Sequence, residues 1–409
     1  MKISIKNFGP IDHFEFDLEK DLHVIYGENN IGKSWAISLV YLILKPLNQK
    51  TILNKKKNDF LKEIDEEGNQ SLLEKMEYNR LPDTSFFDIL LDNLNKSLNN
   101  TFGETKNLIS GKEPEIKIIT ENFELVIEKR ITERNQFSSI FYRKELNPIK
   151  RNESVKTKTT LKYDSVFFIP ASKSGIYQVL SNMGNIFAQL SQYRSQLKDS
   201  SLQLPSMSEP ISDYILNLSS IQTSKQDNFK DLVKFLEENV IEGDVTFDEF
   251  QKKLKYKSKK TGLNLELSEA SSMIAEISPL IAYLKYIVPK SNAILFIEEP
   301  EAHLHPKVQV EMMKVFVDLV KVGVKVVMTT HSDFMMNQLS NSLLEKTILA
   351  EQVASYHLKM GEKGSFDIGD MKATNEGIQD YNFTETAIEL YENRMDIIEK
   401  LNQNAIREN

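Results

Sequence analysis

The sequence predicts an α/β fold built on a largely parallel sheet with helices packed against it. One observation is the alternation of strand-like and helix-like segments, because AILFIEE at 293–299 and VKVVMTT at 324–330 each precede a helix-like segment. The other is a glycine-containing loop at 27–34, which joins the strand-like DLHVIY to the apolar run WAISLVYLIL. Together they indicate strands whose carboxyl ends lead through short loops into helices.

The composition is that of a globular protein of 409 residues, with 40% hydrophobic and 27% charged residues. No segment approaches the roughly 18 consecutive apolar residues of a membrane helix, and the start MKISIKNFGP lacks the apolar stretch of a secretory signal. We therefore expect a cytoplasmic protein without a membrane partner. The absence of cysteine excludes disulfides and thiolate zinc sites. The net charge of −8 excludes a surface that is basic throughout but permits a local basic patch.

The amino-terminal half predicts short strands interrupted by an insertion. Apolar residues recur with strand periodicity, whereas the insertion is rich in Lys, Asn and Glu and predicts helices. The predicted elements are strands at 2–6, 12–18, 21–26 and 165–170, further strands between 116 and 144, the buried helix that starts after the loop, and a mostly helical insertion at 51–110.

The rest of the chain predicts helices that alternate with strands. Apolar residues at steps of three and four predict one helical face between Ile176 and Leu190. Residues 250–267 alternate around Thr261 and Gly262 and predict a β-hairpin. The other predicted elements are helices near 211–221 and 228–240, a helix ending near 288, helices from Pro306 and after His331, strands in VASYHLK and SFDIGD, and an amphipathic end helix with Phe383, Ile388, Tyr391, Met395, Ile398 and Leu401.

The loop after the third predicted strand matches the eight-residue Walker A pattern. Its glycines let backbone N–H groups turn inward around phosphates, Lys33 meets the β- and γ-phosphates, and the Ser34 hydroxyl holds Mg²⁺ at a helix N-terminus. The alternative is a glycine and asparagine turn without a ligand. We expect ATP to contact Gly27, Glu28, Asn29, Asn30, Ile31, Gly32, Lys33, Ser34 and the following Trp35.

Two adjacent carboxylates end the buried strand at 293–299. Glu298 and Glu299 arrive at the carboxyl end of a strand, where open α/β sheets bind ligands. They would repel each other unless a cation lay between them and the phosphates. We therefore assign Glu298 to the Mg²⁺ shell, through water, and Glu299 to polarising the attacking water. The alternative is a strand that simply ends in solvated acids.

Three histidines follow these strand ends. His303 and His305 share one face of an extended segment, but no third ligand is evident and Pro306 starts a helix, so a structural or intersubunit loop is favoured over a zinc site. His331 follows the buried strand VKVVMTT, where it can hydrogen-bond a γ-phosphate. We therefore predict a catalytic group of Lys33, Glu299 and His331.

These motifs resemble those of ABC-type ATPases of the RecF, structural-maintenance-of-chromosomes (SMC) and overcoming-lysogenisation-defect (OLD) group, especially the AAA-15 and AAA-21 ATP-binding proteins of bacterial antiphage systems. FGPI, GENNIGKS, FIPASKSG, LSEASS, EEPEAHLHP and TTHSDF occur in the family's order. The resemblance implies a two-lobed P-loop NTPase fold of the ABC type. It also implies head-to-tail pairing of two copies, in which ATP bridges one P-loop and the partner's signature motif.

The resemblance further implies a domain organisation in which residues 1–409 form one ABC-type ATPase domain. Its parts are lobe I with the P-loop (1–50 and 111–175), the helical insertion (51–110), a helical subdomain (176–250), and lobe II with the signature, Walker B, D-loop and switch histidine (251–409). By the same resemblance Lys173 lies in the Q-loop region, and the nucleobase lies near Lys6 and Asn7.

The signature motif is where the sequence departs from the family. The family has LSGGQ or SSG, whereas residues 267–273 read LSEASSM and contain no glycine. Ser271 precedes Glu298 by 27 residues, similar to the spacing in SMC ATPases, so the resemblance favours Ser271 as the contact to the partner's nucleotide, then Ser272, then Ser268. Without glycine the backbone approaches the γ-phosphate less closely, and we expect slow hydrolysis or dependence on an activating partner.

Two functions from different classes are open. The favoured one is an ATPase sensor and scaffold that oligomerises and controls a separate effector, a nuclease or toxin, during phage infection. OLD-type nucleases carry a TOPRIM domain after the ATPase, but only 78 residues follow His331, and Asp367 and Asp370 are isolated, so no intrinsic nuclease is expected. The alternative is a RecF-like or SMC-like DNA-repair ATPase that binds DNA directly.

Lysines crowd the predicted hairpin and leave nucleic acid open as a partner. They are suited either to contacting a phosphate backbone or to protecting a solvated strand edge, and the sequence does not decide between these roles. The lysines are Lys252, Lys253, Lys255, Lys257, Lys259 and Lys260, with a second run at 55–57.

Overall fold

The computed structural model describes most of the chain, and the fold and site are built from those residues. The described residues are 1–47, 83–102, 105–120, 123–131, 139–148, 163, 165–178, 207–223, 229–378, 391–395 and 397–398.

Sixteen strands in the described residues form one large sheet and two small ones. In chain order they are β1 (Lys2–Phe8), β2 (Ile11–Asp17), β3 (Leu22–Gly27), β4 (Glu115–Ile119), β5 (Phe123–Ile131), β6 (Ser139–Pro148), β7 (Ser165–Ile169), β8 (Gly243–Asp248), β9 (Lys253–Ser258), β10 (Asn264–Glu266), β11 (Ala293–Glu298), β12 (Val324–Thr330), β13 (Val353–Gly361), β14 (Gly364–Asp367), β15 (Ala373–Thr374) and β16 (Gly377–Ile378). The large sheet has the order β6-β5-β4-β1-β2-β14-β13-β3-β12-β11-β7, β8 to β10 form a second sheet, and β15 pairs with β16.

The large sheet is parallel where the predicted site lies and antiparallel at its other end. β13, β3, β12, β11 and β7 run parallel, whereas β1, β2, β4, β5 and β6 pair antiparallel. All seven residues of β12 are buried, Lys325, Thr329 and Thr330 included, because both faces of this parallel strand are covered. Since β3, β12 and β11 are neighbours, their carboxyl ends meet at one edge of the sheet.

Helices cover both faces of the sheet and divide its core in two. Along β11, Ala293, Leu295 and Ile297 pack on one face, whereas Ile294 and Phe296 pack on the other with the first helix. The helical elements are α1 (Lys33–Leu44), α2 (Asp83–Thr101), α3 (Glu209–Ser219), α4 (Lys230–Phe235) with a π-helical turn at Leu236–Val240, α5 (Ser272–Tyr286), α6 (Pro306–Lys321), α7 (Asp333–Leu344) and a 3₁₀ turn at Ala350–Gln352.

The α/β prediction is confirmed, and the structure adds pairings that the sequence did not show. The predicted hairpin is present as β9 and β10. β13 joins the sheet beside β3, and β14 lies between β13 and β2, so strands of predicted lobes I and II share one sheet. The lobe boundaries stay a prediction. No helix among the described residues combines the length and the apolar character needed to cross a lipid bilayer.

Some predicted elements fall wholly or largely outside the described residues. They are most of the insertion before Asp83, the helical face from Val179 to Leu190, and most of the end helix, of which residues 391–395 and 397–398 are helical.

Candidate active site

The loop between β3 and α1 curls around the Lys33 side chain. Gly27 and Gly32 have φ angles of 146° and 100°, a region that favours glycine. A Cβ at Gly27 would lie 2.5 Å from the carbonyl oxygen of Leu358, so a larger residue does not fit there. The Lys33 ammonium donates to the carbonyl oxygens of Gly27 (2.8 Å) and Glu28 (2.6 Å). The turn therefore depends on the glycines and holds the cation at its centre.

Exposure within the loop separates a solvent-facing tip from a buried base. Glu28, Asn29 and Asn30 are exposed, and Asn30 has a positive φ of 64°. Ile31 and Lys33 are buried, and burial lowers the pKa of Lys33 to about 8 against the opposing effect of nearby carboxylates. The loop thus exposes its tip and holds a desolvated cation beneath it.

His331 joins Lys33 to Glu299. Its Nδ1 lies 3.2 Å from the Lys33 Nζ, and its Nε2 lies 3.0 Å from the Glu299 Oε1. A neutral imidazole with its proton on Nε2 satisfies both contacts, since it donates to the carboxylate and accepts from the ammonium. The hydrogen bond from His331 holds the pKa of Glu299 below its usual value. Glu299 is therefore ionised and able to orient and polarise a water.

Glu298 and Ser34 supply the oxygen atoms that suit a magnesium ion. Burial raises the pKa of Glu298 to about 7, and hydrogen bonds from the Ser34 side chain and the Ala171 backbone only partly offset this effect. A carboxylate and a hydroxyl in mutual contact form the hard donor set that Mg²⁺ prefers, and the ion would favour the charged form of Glu298. These residues fit Mg²⁺, and the ion would neutralise developing charge on the phosphates; the metal role of Ser34 and Glu298 stays a prediction.

A left-handed turn separates the two adjacent carboxylates. Glu299 has a φ of 41°, which is uncommon for a residue with a side chain. Its backbone N–H donates to the carbonyl and to the hydroxyl of Thr329, each at 3.2 Å. Strain of this kind is concentrated at functional sites, where the surrounding structure holds it in place. The turn lets Glu298 reach Ser34 while Glu299 reaches His331.

Glu301 is a site residue that the sequence analysis missed. Its Oε1 accepts hydrogen bonds from the backbone N–H of His331 (2.6 Å) and from the Thr330 hydroxyl (2.8 Å). It fixes the backbone at the residue that contacts Lys33 and Glu299. Glu301 is the third carboxylate of the EEPE segment, which is the only sequence feature that pointed to it. Its contacts become visible only once β11 is paired with β12.

Lys173, predicted to lie in the Q-loop region, is buried beneath the carboxylate turn. Its ammonium lies 3.3 Å from the carbonyl oxygen of Ala171 and 3.3 Å from that of Glu299. It also forms an ion pair with Glu276, which the sequence analysis did not single out. Lys173 therefore contacts the backbone of the turn that carries the predicted catalytic carboxylate, Glu299.

The candidate signature serines lie apart from this network, at the surface. Ser271 is the N-cap of α5 and Ser272 is its first residue, and both are exposed. The Ser271 side chain makes no capping hydrogen bond with its own helix. Ser268 is also exposed, one residue after the buried Leu267. All three serines are accessible to another molecule.

Trp35 lies in an aromatic cluster at the start of α1. It stacks on Phe102 with ring centroids 4.7 Å apart and meets the edge of Phe8 at 5.6 Å. It also lines a cavity of about 290 Å³ that Ser34 and Glu298 border. Its side chain is therefore beside the proposed metal position.

Several of the remaining candidate polar groups have structural partners. His305 is the N-cap of α6, where its Nδ1 accepts from the Lys307 N–H at 3.3 Å. The His357 ring lies 2.9 Å from Asp370, and Asp367 accepts from the His357 N–H. Among the described residues, no group of three or more His, Asp or Glu side chains is arranged to hold a metal ion.

The hairpin lysines are mostly paired with carboxylates. Four of the six form ion pairs, and Lys252 lies 5.9 Å above the Phe247 ring. The pairs are Lys253 with Glu266, Lys255 with Asp248, Lys259 with Glu238 and Asp244, and Lys260 with Glu242. Their charge is partly balanced within the chain.

Comparisons with solved structures find likenesses to SMC heads. One is the SMC head domain from Thermotoga maritima, with a TM-score of 0.38 and 10% identity over 89% of this chain and 96% of that one. Another is an SMC head bound to the C-winged helix domain of ScpA, with a TM-score of 0.40 and 11% identity over 90% of this chain and 97% of that one. A third, with an extended coiled coil and bound to the C-terminal domain of ScpA derived from Pyrococcus furiosus, has a TM-score of 0.42 and 11% identity over 96% of this chain and 98% of that one.

A family comparison covers the P-loop, the paired carboxylates and His331 together. No curated protein gives a significant match. The family model described as AAA ATPase domain, AAA_15, matches residues 1–336. This range is most of the chain and contains every group of the Lys33, Glu299 and His331 network. The chain therefore belongs to the AAA_15 family of ATPase domains.

Proposed function

We propose that this chain is the ATP-hydrolysing sensor and scaffold subunit of a bacterial antiphage system. Two copies, arranged head to tail, clasp ATP between the P-loop of one and the serines at the start of α5 of the other. Assembly and turnover control a separate effector, a nuclease or toxin. The antiphage role and the effector rest on the resemblance stated above.

The main support for a site shared between two copies is that its two halves lie apart within one chain. Lys33, His331 and Glu299 contact one another within one chain at hydrogen-bond distances. Ser271 and Ser272 are instead exposed at a helix N-terminus, a position that favours anions. This arrangement supports a pocket that a second copy completes.

The described strands after His331 belong to the scaffold of the ATPase. Strands β13 and β14 are part of the ATPase sheet, beside β3 and β2. Asp367 and Asp370 contact His357 in this region. These two carboxylates therefore contact β13, the strand that pairs with the P-loop strand β3.

The test is the substitution Glu299→Gln with Mg²⁺ and ATP. We expect ATP binding to persist and turnover to fall about 1000-fold, because the amide is a poor base, and the ATP-bridged dimer should accumulate. Light scattering after size exclusion measures the dimer, and phosphate release measures turnover. Glu311→Gln, at a surface glutamate paired with Lys314, is the control and should behave as wild type. Turnover like wild type in Glu299→Gln, or a wild-type chain that stays monomeric with ATP, would refute the shared site.

The antiphage role has its own test. Cells carrying the gene with its neighbours are challenged with phage, and Lys33→Ala should abolish protection because Lys33 recognises the phosphates. The competing DNA-repair function predicts instead that duplex DNA ends stimulate ATP turnover severalfold in the purified chain. Such stimulation together with no effect on phage survival would favour the repair function.

A further inference from the structure

A buried ion pair connects the helix of the signature serines to the turn that carries the carboxylates. The Lys173 Nζ lies 3.7 Å from the Glu276 Oε2, and the two side chains are 3% and 4% exposed. Glu276 lies on α5, one turn after Ser272, whereas Lys173 follows β7. Buried charges are costly unless they are paired, so each side chain constrains the position of the other.

Lys173 holds the backbone of the carboxylate turn. Its Nζ lies 3.4 Å from the carbonyl oxygen of Glu298 and 3.3 Å from that of Glu299. These two peptide units carry the proposed metal ligand and the proposed base. A displacement of the ammonium therefore changes the environment of both carboxylates without any contact to substrate.

One oxygen of Glu276 is fixed and the other faces Lys173. The Oε1 accepts from the Ser174 N–H at 3.2 Å and from the Ser174 hydroxyl at 2.5 Å. The buried Oε2 has no hydrogen-bond partner among the described residues. Its 3.7 Å separation from Lys173 exceeds the roughly 2.8 Å of a charge-assisted hydrogen bond. The distance between Lys173 and Glu276 can therefore shorten to that of a hydrogen bond.

We propose that Lys173 and Glu276 are positioning residues that couple the partner's nucleotide to the carboxylate turn of the same chain. The inference rests on the proposed ATP-bridged dimer. When Ser271 and Ser272 engage the partner's ATP, a shift of α5 by about 1 Å brings Glu276 into hydrogen-bond distance of Lys173 and fixes the turn. ATP bound by one copy thus promotes hydrolysis by the other, and turnover is cooperative.

The test is a double-mutant cycle with Lys173→Met and Glu276→Gln. Wild-type turnover should have a Hill coefficient near 2, on the order of the number of coupled sites. Each single variant should lose about 10-fold in kcat with less than about 3-fold change in KM, and its Hill coefficient should fall to about 1. The double variant should be no worse than the poorer single variant, because both changes break one connection.

One variant of the cycle and one control variant separate positioning from folding. Glu276→Gln keeps an acceptor for Ser174, so it carries the test if Lys173→Met does not fold. The matched control is Lys285→Met, at a lysine of α5 that forms an ion pair with Glu237 (2.9 Å). It should lower thermal stability and leave the Hill coefficient as in wild type.

The possible outcomes distinguish this inference from the proposed function. Wild-type association with ATP, combined with additive losses in the double variant or an unchanged Hill coefficient in both single variants, would overturn the coupling alone. Loss of cooperativity in the Lys285→Met control would also overturn it. A wild-type chain that stays monomeric with ATP would overturn the dimer and the coupling together.

Discussion

The two halves of the proposed nucleotide site differ in how completely one chain builds them. At the carboxyl ends of the parallel strands, His331 contacts both Lys33 and Glu299, so the three side chains form one continuous network. At the start of α5, Ser271 and Ser272 are exposed, and the Ser271 side chain makes no capping hydrogen bond.

This difference separates groups that must be preorganised from groups that must be accessible. A base and a cation contribute most when fixed in a site of low dielectric, and the parallel sheet provides such a site. A contact made by a second copy has to remain at the surface until assembly. The carboxylate network should therefore govern turnover, and the helix start should govern association.

The largest effect on association should come from a negative charge at the helix start. Ser271→Glu places a carboxylate against the partner's γ-phosphate, and the repulsion should weaken ATP-dependent association about 100-fold. The monomer should still bind ATP, and its fold should tolerate the change because helix N-termini favour acidic side chains. Sedimentation velocity across a concentration series measures the association.

Ser268→Glu is the matched control for this substitution. Ser268 is exposed near the same helix but lies before its first turn. We expect less than about 3-fold change in association. A stronger effect at Ser268 than at Ser271 would show that the signature register is shifted by three residues.

The next-largest effect concerns the pH dependence of folding stability, which should depend on a buried histidine of the parallel sheet. His23 on β3 is buried, stacks on Phe16 at 4.3 Å, and contacts the Tyr356 hydroxyl. Burial, with a smaller effect of Lys325, lowers the pKa of His23 to about 3. The unfolded chain takes up a proton below about pH 6.5, so folding stability falls as the pH drops from there toward 3.

Between pH 7 and pH 5 the free energy of unfolding should fall by about 2 kcal/mol more in wild type than in His23→Phe, which is about 30-fold in the folding equilibrium. Urea titrations at the two pH values measure this difference. His13→Gln, at a partly exposed histidine on β2, is the control and should keep the wild-type pH dependence. Equal pH dependence in His23→Phe and wild type would contradict the assignment.

The smallest effect should come from Glu301, which acts through the position of His331. Glu301→Gln keeps an acceptor for the His331 N–H but removes the charge, so kcat should fall about 10-fold. KM for ATP should be unchanged, because no phosphate contact is lost. The Glu311→Gln control should again match wild type. A change in KM without a change in kcat would place Glu301 in nucleotide binding instead.

The parts of the site that are contiguous in sequence were predictable. The eight residues from Gly27 to Ser34, the Glu298 and Glu299 pair, and His331 each follow an apolar strand, and the strand supplies their direction. Strand periodicity also predicted the hairpin at β9 and β10. These features are predictable because their geometry is set by neighbours within a few residues.

The parts that depend on packing between distant segments were not predictable. Glu301 meets His331, 30 residues away, and Lys173 meets Glu276, 103 residues away, through sheet and helix packing. The charges of the hairpin lysines are balanced by acidic residues of β8 as well as by an acidic residue of the hairpin itself. Residue spacing along the chain gives no measure of such distances.

The sequence by itself determined which chemical groups are present and that each ends a buried strand, because apolar runs and glycine turns act locally. Tertiary structure decided that β3, β12 and β11 lie side by side, so that Lys33, His331 and Glu299 meet in one network. It also decided that α5 starts at the surface while Glu276 reaches the carboxylate turn through Lys173. Those contacts arise because burying apolar faces on both sides of one sheet fixes the positions of segments far apart in the chain.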